Sequence, residues 1–175
     1  MTRDSSWLVS HVRDIPDFPQ PGIVFKDLTP LLANVDAFRF VVDALVDNAC
    51  SFPVDKVVGI EARGFTFAGA AAYRMGAGFV PVRKPGKLPY ETATEAYELE
   101  YGTDCLEIHR DAVVPGESVY IIDDILATGG TAAATCRLVE ALDGRVTGLA
   151  FVAELGFLNG RAKLPDYDVL CLMTL

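Results

Sequence analysis

Apolar residues recur along this chain at two spacings, one typical of buried strands and the other of helices. The run from Val119 to Asp123 is apolar and β-branched, which predicts a strand buried on both faces of a parallel sheet. Four other segments predict strands: Lys56 to Ile60, Gly78 to Arg83, Val146 to Leu155 and Val169 to Met173. Helical spacing or composition predicts helices at Ser6 to Val12, from Asp36 as N-cap to Ala49, at Phe65 to Met75 and at Ala132 to Leu142. This alternation predicts an α/β fold with a mainly parallel sheet flanked by helices.

Two stretches interrupt the alternation. The first predicts an irregular, extended path near the N-terminus and contains Pro16, Pro19, Pro21 and Gly22. The second spans residues 84–107, and a long excursion of this kind in a compact domain is usually functional or disordered. Its predicted parts are a polar stretch at Glu91 to Glu95, a strand exposed on one face at Tyr97 to Tyr101, a turn at Gly102 to Asp104 and an antiparallel return at Leu106 and Ile108. We interpret this second stretch as a flexible lid over an active site.

Length and composition predict one globular domain over residues 1–175, with 51% hydrophobic and 22% charged residues. No apolar run approaches the length of a membrane span, and we expect a cytoplasmic protein. The four cysteines are scattered, which favours reduced thiols over a zinc site or a disulfide framework: Cys50, Cys105, Cys136 and Cys171. A formal net charge of −9 argues against nucleic acid or an anionic membrane as the main partner.

Candidate chemistry is concentrated where the strand at Val119 ends. Asp123 and Asp124 follow the apolar run, and a Thr/Gly turn then leads into the helix. The glycines of the turn, Gly129 and Gly130, allow backbone N–H groups to approach a phosphate, and the helix N-terminus adds partial positive charge. The two carboxylates need another partner, such as vicinal ribose hydroxyls or Mg²⁺. A ribose phosphate carries both kinds of group.

An anionic substrate also needs local positive charge in an acidic protein. Arg83, Lys84 and Lys87 fall within five positions, and Arg63 precedes them. In an α/β sheet, ligands bind beyond the carboxyl ends of the strands. Both candidate loops, Glu61 to Gly64 and Asp123 to Thr131, are predicted to lie at that edge.

The strand, acidic pair and Thr-Gly-Gly-Thr turn resemble the phosphoribosyl-diphosphate (PRPP) motif of the type I phosphoribosyltransferases. Further blocks are similar to the adenine phosphoribosyltransferases within that family: Asp17 to Pro19, Pro21 to Asp27, Gly59 to Phe65, Val82 to Pro89 and Tyr97 to Gly102. The resemblance runs from about residue 10 to the C-terminus, and several agreeing blocks are more specific than any one of them. It implies Mg²⁺-dependent transfer of the phosphoribosyl group of PRPP to N9 of adenine, giving AMP and pyrophosphate in purine salvage.

The resemblance also implies roles for individual residues. The 5′-phosphate would be held by Ala127, Thr128, Gly129, Gly130 and Thr131, and the ribose hydroxyls by Asp123 and Asp124. The pyrophosphate would be held by the turn Glu61-Ala62-Arg63, which contains a non-proline cis peptide in the family, and by Arg83 and Lys87. Residues 1–35 would include a hood over the base, with adenine bound by Val24, Phe25, Lys26 and Leu126. On the lid, Tyr101 would close over the site and Glu100 would act as the general base. Arg63, in the pyrophosphate turn, would be a second catalytic residue.

In this interpretation the metal is bound through PRPP and pyrophosphate oxygens, with no ligand directly from the protein. The resemblance implies a homodimer in which Lys87 reaches across from a partner subunit. Two alternatives stay open. The PRPP motif is shared with enzymes that use hypoxanthine, guanine, xanthine or orotate, and the same fold also occurs in PRPP-sensing regulators.

Overall fold

The structure is a computed structural model that describes residues 5–49, 52–98 and 103–175. Its helices are α1 (Ser5–Val9), α2 (Thr29–Ala33), α3 (Val35–Ala49), α4 (Gly64–Met75) and α5 (Gly130–Glu140). Its strands are β1 (Arg13–Pro16), β2 (Val24–Asp27), β3 (Lys56–Ile60), β4 (Gly78–Val82), β5 (Thr92–Glu98), β6 (Thr103–His109), β7 (Ser118–Leu126), β8 (Arg145–Glu154) and β9 (Val169–Thr174). Two short 3-10 helices, Gly156–Leu158 and Gly160–Lys163, lie between β8 and β9.

A five-stranded parallel sheet forms the centre of the fold, in the order β4-β3-β7-β8-β9. The apolar run of β7 supplies both faces, because successive side chains of a strand point to opposite sides. Tyr120 and Ile122 belong to the core cluster shared with α3 and α4, whereas Val119 and Ile121 belong to the cluster shared with α5. The predicted α/β fold with a parallel sheet flanked by helices is confirmed.

Several element boundaries differ from their predictions: the first helix ends at Val9 and not at Val12, and α5 spans Gly130–Glu140 in place of Ala132 to Leu142. The strand predicted to end at Asp123 continues to Leu126, because β7 keeps its parallel pairing with β8 as far as Leu126 opposite Glu154. The acidic pair therefore lies within the strand. The N-cap of α3 is Asn34 and not Asp36, since Oδ1 of Asn34 accepts hydrogen bonds from the backbone N–H groups of Asp36 and Ala37 at 3.0 Å.

Two antiparallel ribbons stand apart from the sheet, β1–β2 near the N-terminus and β5–β6 in the middle of the chain. The β5–β6 ribbon confirms the predicted return at Leu106 and Ile108. The strand predicted to begin at Tyr97 begins earlier, because β5 starts at Thr92, within the polar stretch. The predicted turn is also wrong in position, because Thr103 pairs with Glu98 and Asp104 pairs with Tyr97.

Candidate active site

Two loops lie side by side at the carboxyl edge of the sheet. The turn Glu61-Ala62-Arg63 follows β3, and the segment Ala127–Thr131, here called the phosphate loop, follows β7 and enters α5. Because β3 and β7 are neighbouring parallel strands, both loops emerge at the same edge. The sequence predicted this placement.

The phosphate loop is shaped by a close backbone approach. Gly129 has φ of 79°, a conformation that favours glycine, and it is the N-cap residue of α5. A Cβ atom at Gly129 would collide with the backbone oxygen of Gly160, and one at Gly160 would collide with the backbone oxygen of Ala127. Sequence reasoning missed Gly160. Four residues of the loop line a cavity of about 70 Å³: Ala127, Thr128, Gly129 and Thr131. Asp123 also contributes to the lining of this cavity.

Asp123 is placed by the start of α4. A Cβ atom at Gly64 would meet Oδ1 of Asp123, so glycine at this position leaves room for the carboxylate. The same oxygen accepts a hydrogen bond from the backbone N–H of Asp124 at 2.8 Å. Burial, and then the neighbouring carboxylate of Asp124, raise the pKa of Asp123 well above its usual range. A raised pKa of this kind is frequent at functional sites.

Asp124 forms an ion pair with the turn after β3. It is 6% exposed, and its Oδ2 lies 2.6 Å from Nε of Arg63, although the alignment is not that of a hydrogen bond. The guanidinium carbon of Arg63 also lies 5.1 Å from the centre of the Phe25 ring, within the range of a cation–π contact. Arg63 thus connects the acidic pair to the N-terminal ribbon.

A second cavity, of about 220 Å³, lies between that ribbon and the sheet edge. Its lining comprises Ile23, Val24, Phe25, Lys26, Arg63, Asp124, Ile125, Ala127 and Leu155. Three of the four residues predicted to bind adenine line it. Leu126 does not, because its side chain is 2% exposed and belongs to the core cluster beside α5, and Ile125 lines the cavity instead. Sequence reasoning also missed Leu155 and Ile23.

Lys26 lines this cavity, but its ammonium group forms an ion pair outside it. Its Nζ lies 2.8 Å from Oδ1 of Asp14 on the paired strand β1. The side chain is therefore tied along the ribbon. Val24, Phe25 and Lys26 together form most of the ribbon's contribution to the cavity lining.

The cations expected around the pyrophosphate sit on the β3 and β4 side of the edge. The Glu61–Ala62 peptide is cis, as the family resemblance implied. Nε of Arg83 donates a hydrogen bond to Oε2 of Glu61 at 2.8 Å, and Nη1 of Arg83 donates to the backbone oxygen of Lys87 at 3.3 Å. Lys87 itself is exposed. Arg63 and Arg83 thus both lie at the turn after β3, and Arg83 also contacts the backbone of Lys87.

The structure describes the lid except for residues 99–102, and the base of the lid is the end that adjoins β4. Glu100 and Tyr101 lie outside the described residues, and their predicted roles stay predictions. The base is joined to β4, because the backbones of Arg83 and Glu107 exchange two hydrogen bonds, of 2.9 and 2.7 Å. The hairpin that carries both predicted lid residues is thus continuous with the segment that carries Arg83.

The described residues contain neither a cluster of metal-ligating side chains nor a membrane-spanning helix. Among residues 5–49, 52–98 and 103–175, no three His, Cys, Asp or Glu side chains are grouped so as to hold a metal ion. In the same part of the chain, no helix has the length and apolar character needed to span a membrane.

Comparison with known proteins agrees with this geometry. The family model described as "Phosphoribosyl transferase domain" matches residues 30–172. The match covers β3 and β7 and both loops at the sheet edge.

Individual relatives identify the branch of the phosphoribosyltransferases that this chain resembles. An adenine phosphoribosyltransferase of Thermobifida fusca is 54% identical over 175 residues, which is 99% of each chain. The crystal structure of adenine phosphoribosyltransferase from Thermoanaerobacter pseudethanolicus has a TM-score of 0.94 at 51% identity, covering 97% of this chain and 99% of that one. The Saccharomyces cerevisiae enzyme, complexed with an imino-altritol bisphosphate and adenine, has a TM-score of 0.90 at 43% identity, covering 96% of this chain and 97% of that one. The chain belongs to the adenine phosphoribosyltransferase family.

Proposed function

We propose that this chain catalyses the Mg²⁺-dependent transfer of the 5-phosphoribosyl group of PRPP to N9 of adenine, giving AMP and pyrophosphate in purine salvage. One observation carries the proposal. Asp123 lines the phosphate-loop cavity, and Asp124, its neighbour in β7, lines the cavity beneath the N-terminal ribbon. In AMP the ribose stands between the phosphate and the base, and the acidic pair stands between the two cavities in the same way.

The substrate contacts follow from this arrangement. Backbone N–H groups of the phosphate loop and the N-terminus of α5 would hold the 5′-phosphate, with Thr128 and Thr131 as hydroxyl donors. Asp123 and Asp124 would accept hydrogen bonds from the ribose hydroxyls. Adenine would enter the 220 Å³ cavity, where Phe25 and Ile125 offer apolar surface and the backbone of β2 offers hydrogen-bonding groups.

The reaction breaks the bond between C1 and the pyrophosphate and develops positive charge on the ribose. The chain's tasks are to hold both reactants in line and to stabilise the leaving group. Arg63 and Arg83 would serve the second task. Arg63 is now paired with Asp124 and Arg83 with Glu61, so ligand oxygens would compete with those carboxylates for each guanidinium.

Magnesium fits this set of residues as an ion carried by the substrate. Two adjacent carboxylates beside an anion-binding loop are compatible with a hydrated Mg²⁺ that keeps most of its ligands from water and phosphate oxygens. When bound, the ion would neutralise charge on the departing pyrophosphate. Asp123 and Asp124 would orient the ribose whose oxygens help to bind it.

The remaining parts of the proposal concern the lid, the assembly and the location. Glu100 would accept the N9 proton of adenine, and Tyr101 would cover the site. The exposed position of Lys87 suits a contact with the site of a second copy in a homodimer. Cys105, Cys136 and Cys171 are free thiols, which supports a reducing compartment such as the cytoplasm.

A panel of bases tests the proposal. The protein, PRPP and Mg²⁺ are incubated separately with adenine, hypoxanthine, guanine, xanthine and orotate, and nucleotides are separated by chromatography. We expect AMP from adenine and little product from the others. A different nucleotide would keep the PRPP site and refute the adenine assignment. Binding of PRPP without any product would favour a PRPP-sensing regulator.

A further inference from the structure

The short 3-10 helix Gly160–Lys163 begins with a glycine that packs against the phosphate loop. The backbone of Gly160 approaches Ala127 and Gly129 so closely that neither glycine has room for a Cβ atom. Gly160 is buried, although the next three residues of the chain are exposed. The backbone position of the loop therefore depends on where this helix holds Gly160.

Two side chains attach the helix to the rest of the fold. Leu164, which follows its last residue, is 2% exposed and belongs to the core cluster shared with α5. Arg161 lies next to Gly160. Its Nε donates a hydrogen bond to Oε2 of Glu154 at 2.6 Å, and its Nη1 donates to the backbone oxygen of Val169 at 2.8 Å. A single 3-10 turn has weak hydrogen bonds of its own, so it needs such attachments, and Arg161 supplies the one beside the loop.

The carboxylate that binds Arg161 is itself fixed at the end of the sheet. Glu154 is the last residue of β8, and its Oε1 accepts a hydrogen bond from Oγ1 of Thr174 on the neighbouring strand at 3.1 Å. The hydrogen bond from Arg161 is the main cause of a lowered pKa at Glu154, so this carboxylate is ionised at neutral pH. In the sheet, Glu154 lies opposite Leu126, the residue that precedes the phosphate loop. Arg161 thus ties the helix to the strand end beside the start of the loop.

We propose that Arg161 is a positioning residue, which holds Gly160 against the phosphate loop through its contacts with Glu154 and Val169 and so fixes the loop backbone for the 5′-phosphate. The inference rests on the proposed function, because it takes this loop as the 5′-phosphate site. Arg161 lines neither of the two site cavities and would act without touching the substrate.

Arg161→Met tests this role, because it removes both hydrogen bonds and keeps a long side chain. We expect ribose 5-phosphate, titrated by calorimetry, to bind roughly two- to tenfold more weakly, as for the loss of one hydrogen bond. The KM for PRPP should rise by a similar factor. The KM for adenine should stay unchanged, because the helix does not line the cavity beneath the N-terminal ribbon. The melting temperature should change little, since the Arg161 side chain is 45% exposed and exposed ion pairs add little stability.

Hydrogen exchange gives a second measurement that needs no substrate. The backbone N–H of Ala133 donates to the backbone oxygen of Gly129 at 3.0 Å. If Gly160 no longer holds Gly129 in place, this N–H should exchange faster with solvent in Arg161→Met, as followed by NMR. A merely structural role for Arg161 would speed exchange equally at the centre of the sheet, for example at Ile121 and Ile122.

Arg74→Met is the matched control. Nε of Arg74 lies 3.1 Å from Oδ1 of Asp43, and its side chain is 52% exposed, but this pair joins α4 to α3. The control should bind ribose 5-phosphate like the wild type and leave the exchange at Ala133 unchanged. Glu154→Gln, alone and combined with Arg161→Met, completes a double-mutant cycle. We expect the two losses in affinity to be less than additive, because both substitutions change the same contact.

Gly160→Ala tests the other end of the same connection. A Cβ atom there would collide with the backbone oxygen of Ala127, so we expect a larger loss of affinity for ribose 5-phosphate than in Arg161→Met. Gly69→Ala, in α4, is the control, since open space surrounds its Cβ position. Wild-type affinity in Gly160→Ala would overturn the inference.

The outcomes for Arg161 are distinguishable from those for the proposed function. Unchanged affinity and exchange in Arg161→Met, in a chain that forms AMP, would overturn the inference and leave the function standing. An equal loss in Arg74→Met would also overturn it. A wild type that binds ribose 5-phosphate and forms no nucleotide would refute the proposed function, while weaker binding by Arg161→Met would still support the positioning role. A wild type that does not bind ribose 5-phosphate would overturn both.

Discussion

The two loops at the sheet edge and the two antiparallel ribbons are held in place by different forces. The loops continue strands β3 and β7, whose backbones are hydrogen-bonded within a five-stranded sheet. The ribbons also contact their surroundings through side chains, such as the Phe25 ring of β2 against the guanidinium of Arg63 and Glu95 of β5 against Arg137 of α5. A site on rigid strands keeps its geometry, whereas ribbons attached through partly exposed side chains can move at low cost in free energy.

Burial separates the sheet from the N-terminal ribbon. Ile121 and Ile122 of β7 are fully buried, whereas Val24 in β2 is 49% exposed and Phe18, between β1 and β2, is 51% exposed. Apolar surface left open beside a cavity is typical of a region that a ligand covers. We infer that the phosphate and ribose part of the site is formed in advance and that the base part is completed by adenine.

The largest effect is expected where the rigid loop has no room to adjust. Gly129→Ala places a Cβ atom against the backbone oxygen of Gly160, which cannot move aside as the end of a side chain can. We expect kcat/KM for PRPP to fall about 100-fold or more, since misplacement of about 1 Å has effects of this size. Steady-state kinetics measures the change.

Gly116→Ala is the control for backbone strain alone. Gly116 also has positive φ, of 86°, but open space surrounds its Cβ position. This control should lose about 1 kcal/mol of stability and keep its activity. If both variants lost activity equally, general destabilisation and not the contact with Gly160 would explain the result.

A second prediction separates function from stability within β7. Asp123→Asn should bind PRPP roughly tenfold or more weakly. The same variant should melt at a higher temperature than the wild type at pH 7. The pKa of Asp123 is raised in the folded protein, so its ionised form opposes folding above the unfolded value, and the neutral amide removes that cost.

The stability difference between Asp123→Asn and the wild type should depend on pH. The wild type loses stability as pH rises from the unfolded pKa of Asp123 through its raised folded value, so the advantage of Asp123→Asn should shrink as pH falls through that window. Asp124→Asn is the control. It leaves Arg63 without its carboxylate partner and should lower the melting temperature. A lower melting temperature for Asp123→Asn as well would contradict the raised pKa.

The smallest effect is expected in the N-terminal ribbon. Lys26→Met removes an ion pair with Asp14, whose side chain is 57% exposed, and exposed pairs contribute about 0–1 kcal/mol. Because adenine would meet the backbone of this segment, the KM for adenine should change by no more than about threefold. A tenfold rise in that KM would show that the lysine side chain binds the base.

The parts of the site that lie in one continuous segment could be predicted from sequence. The apolar run of β7, its two carboxylates and the glycine turn are adjacent, and strand-to-helix order places them at the sheet edge. Finer boundaries were wrong where neighbouring residues compete. Asn34 and Asp36 are both suitable N-caps, and only the backbone geometry before α3 selects Asn34.

Contacts between distant segments left no such signal. Asn159 and Gly160 form an Asn-Gly dipeptide, which is typical of a turn. Nothing in that pattern indicates that the backbone of Gly160 approaches the phosphate loop. Sequence also could not show that Ile125, and not the predicted Leu126, lines the cavity beneath the ribbon. Both are branched apolar residues at the end of one strand, and the tertiary packing decides which side chain enters the core.

The order of strands in the sheet has a consequence for synthesis of the chain. β3 pairs directly with β7, although Lys56 and its partner Val119 are about sixty residues apart and the β5–β6 hairpin is made between them. On the ribosome, the turn after β3 therefore emerges long before the strand that completes the site beside it. Nascent chains that end before β7 cannot form the proposed phosphate and ribose site, so PRPP bound there can favour folding only of chains that are translated beyond this strand.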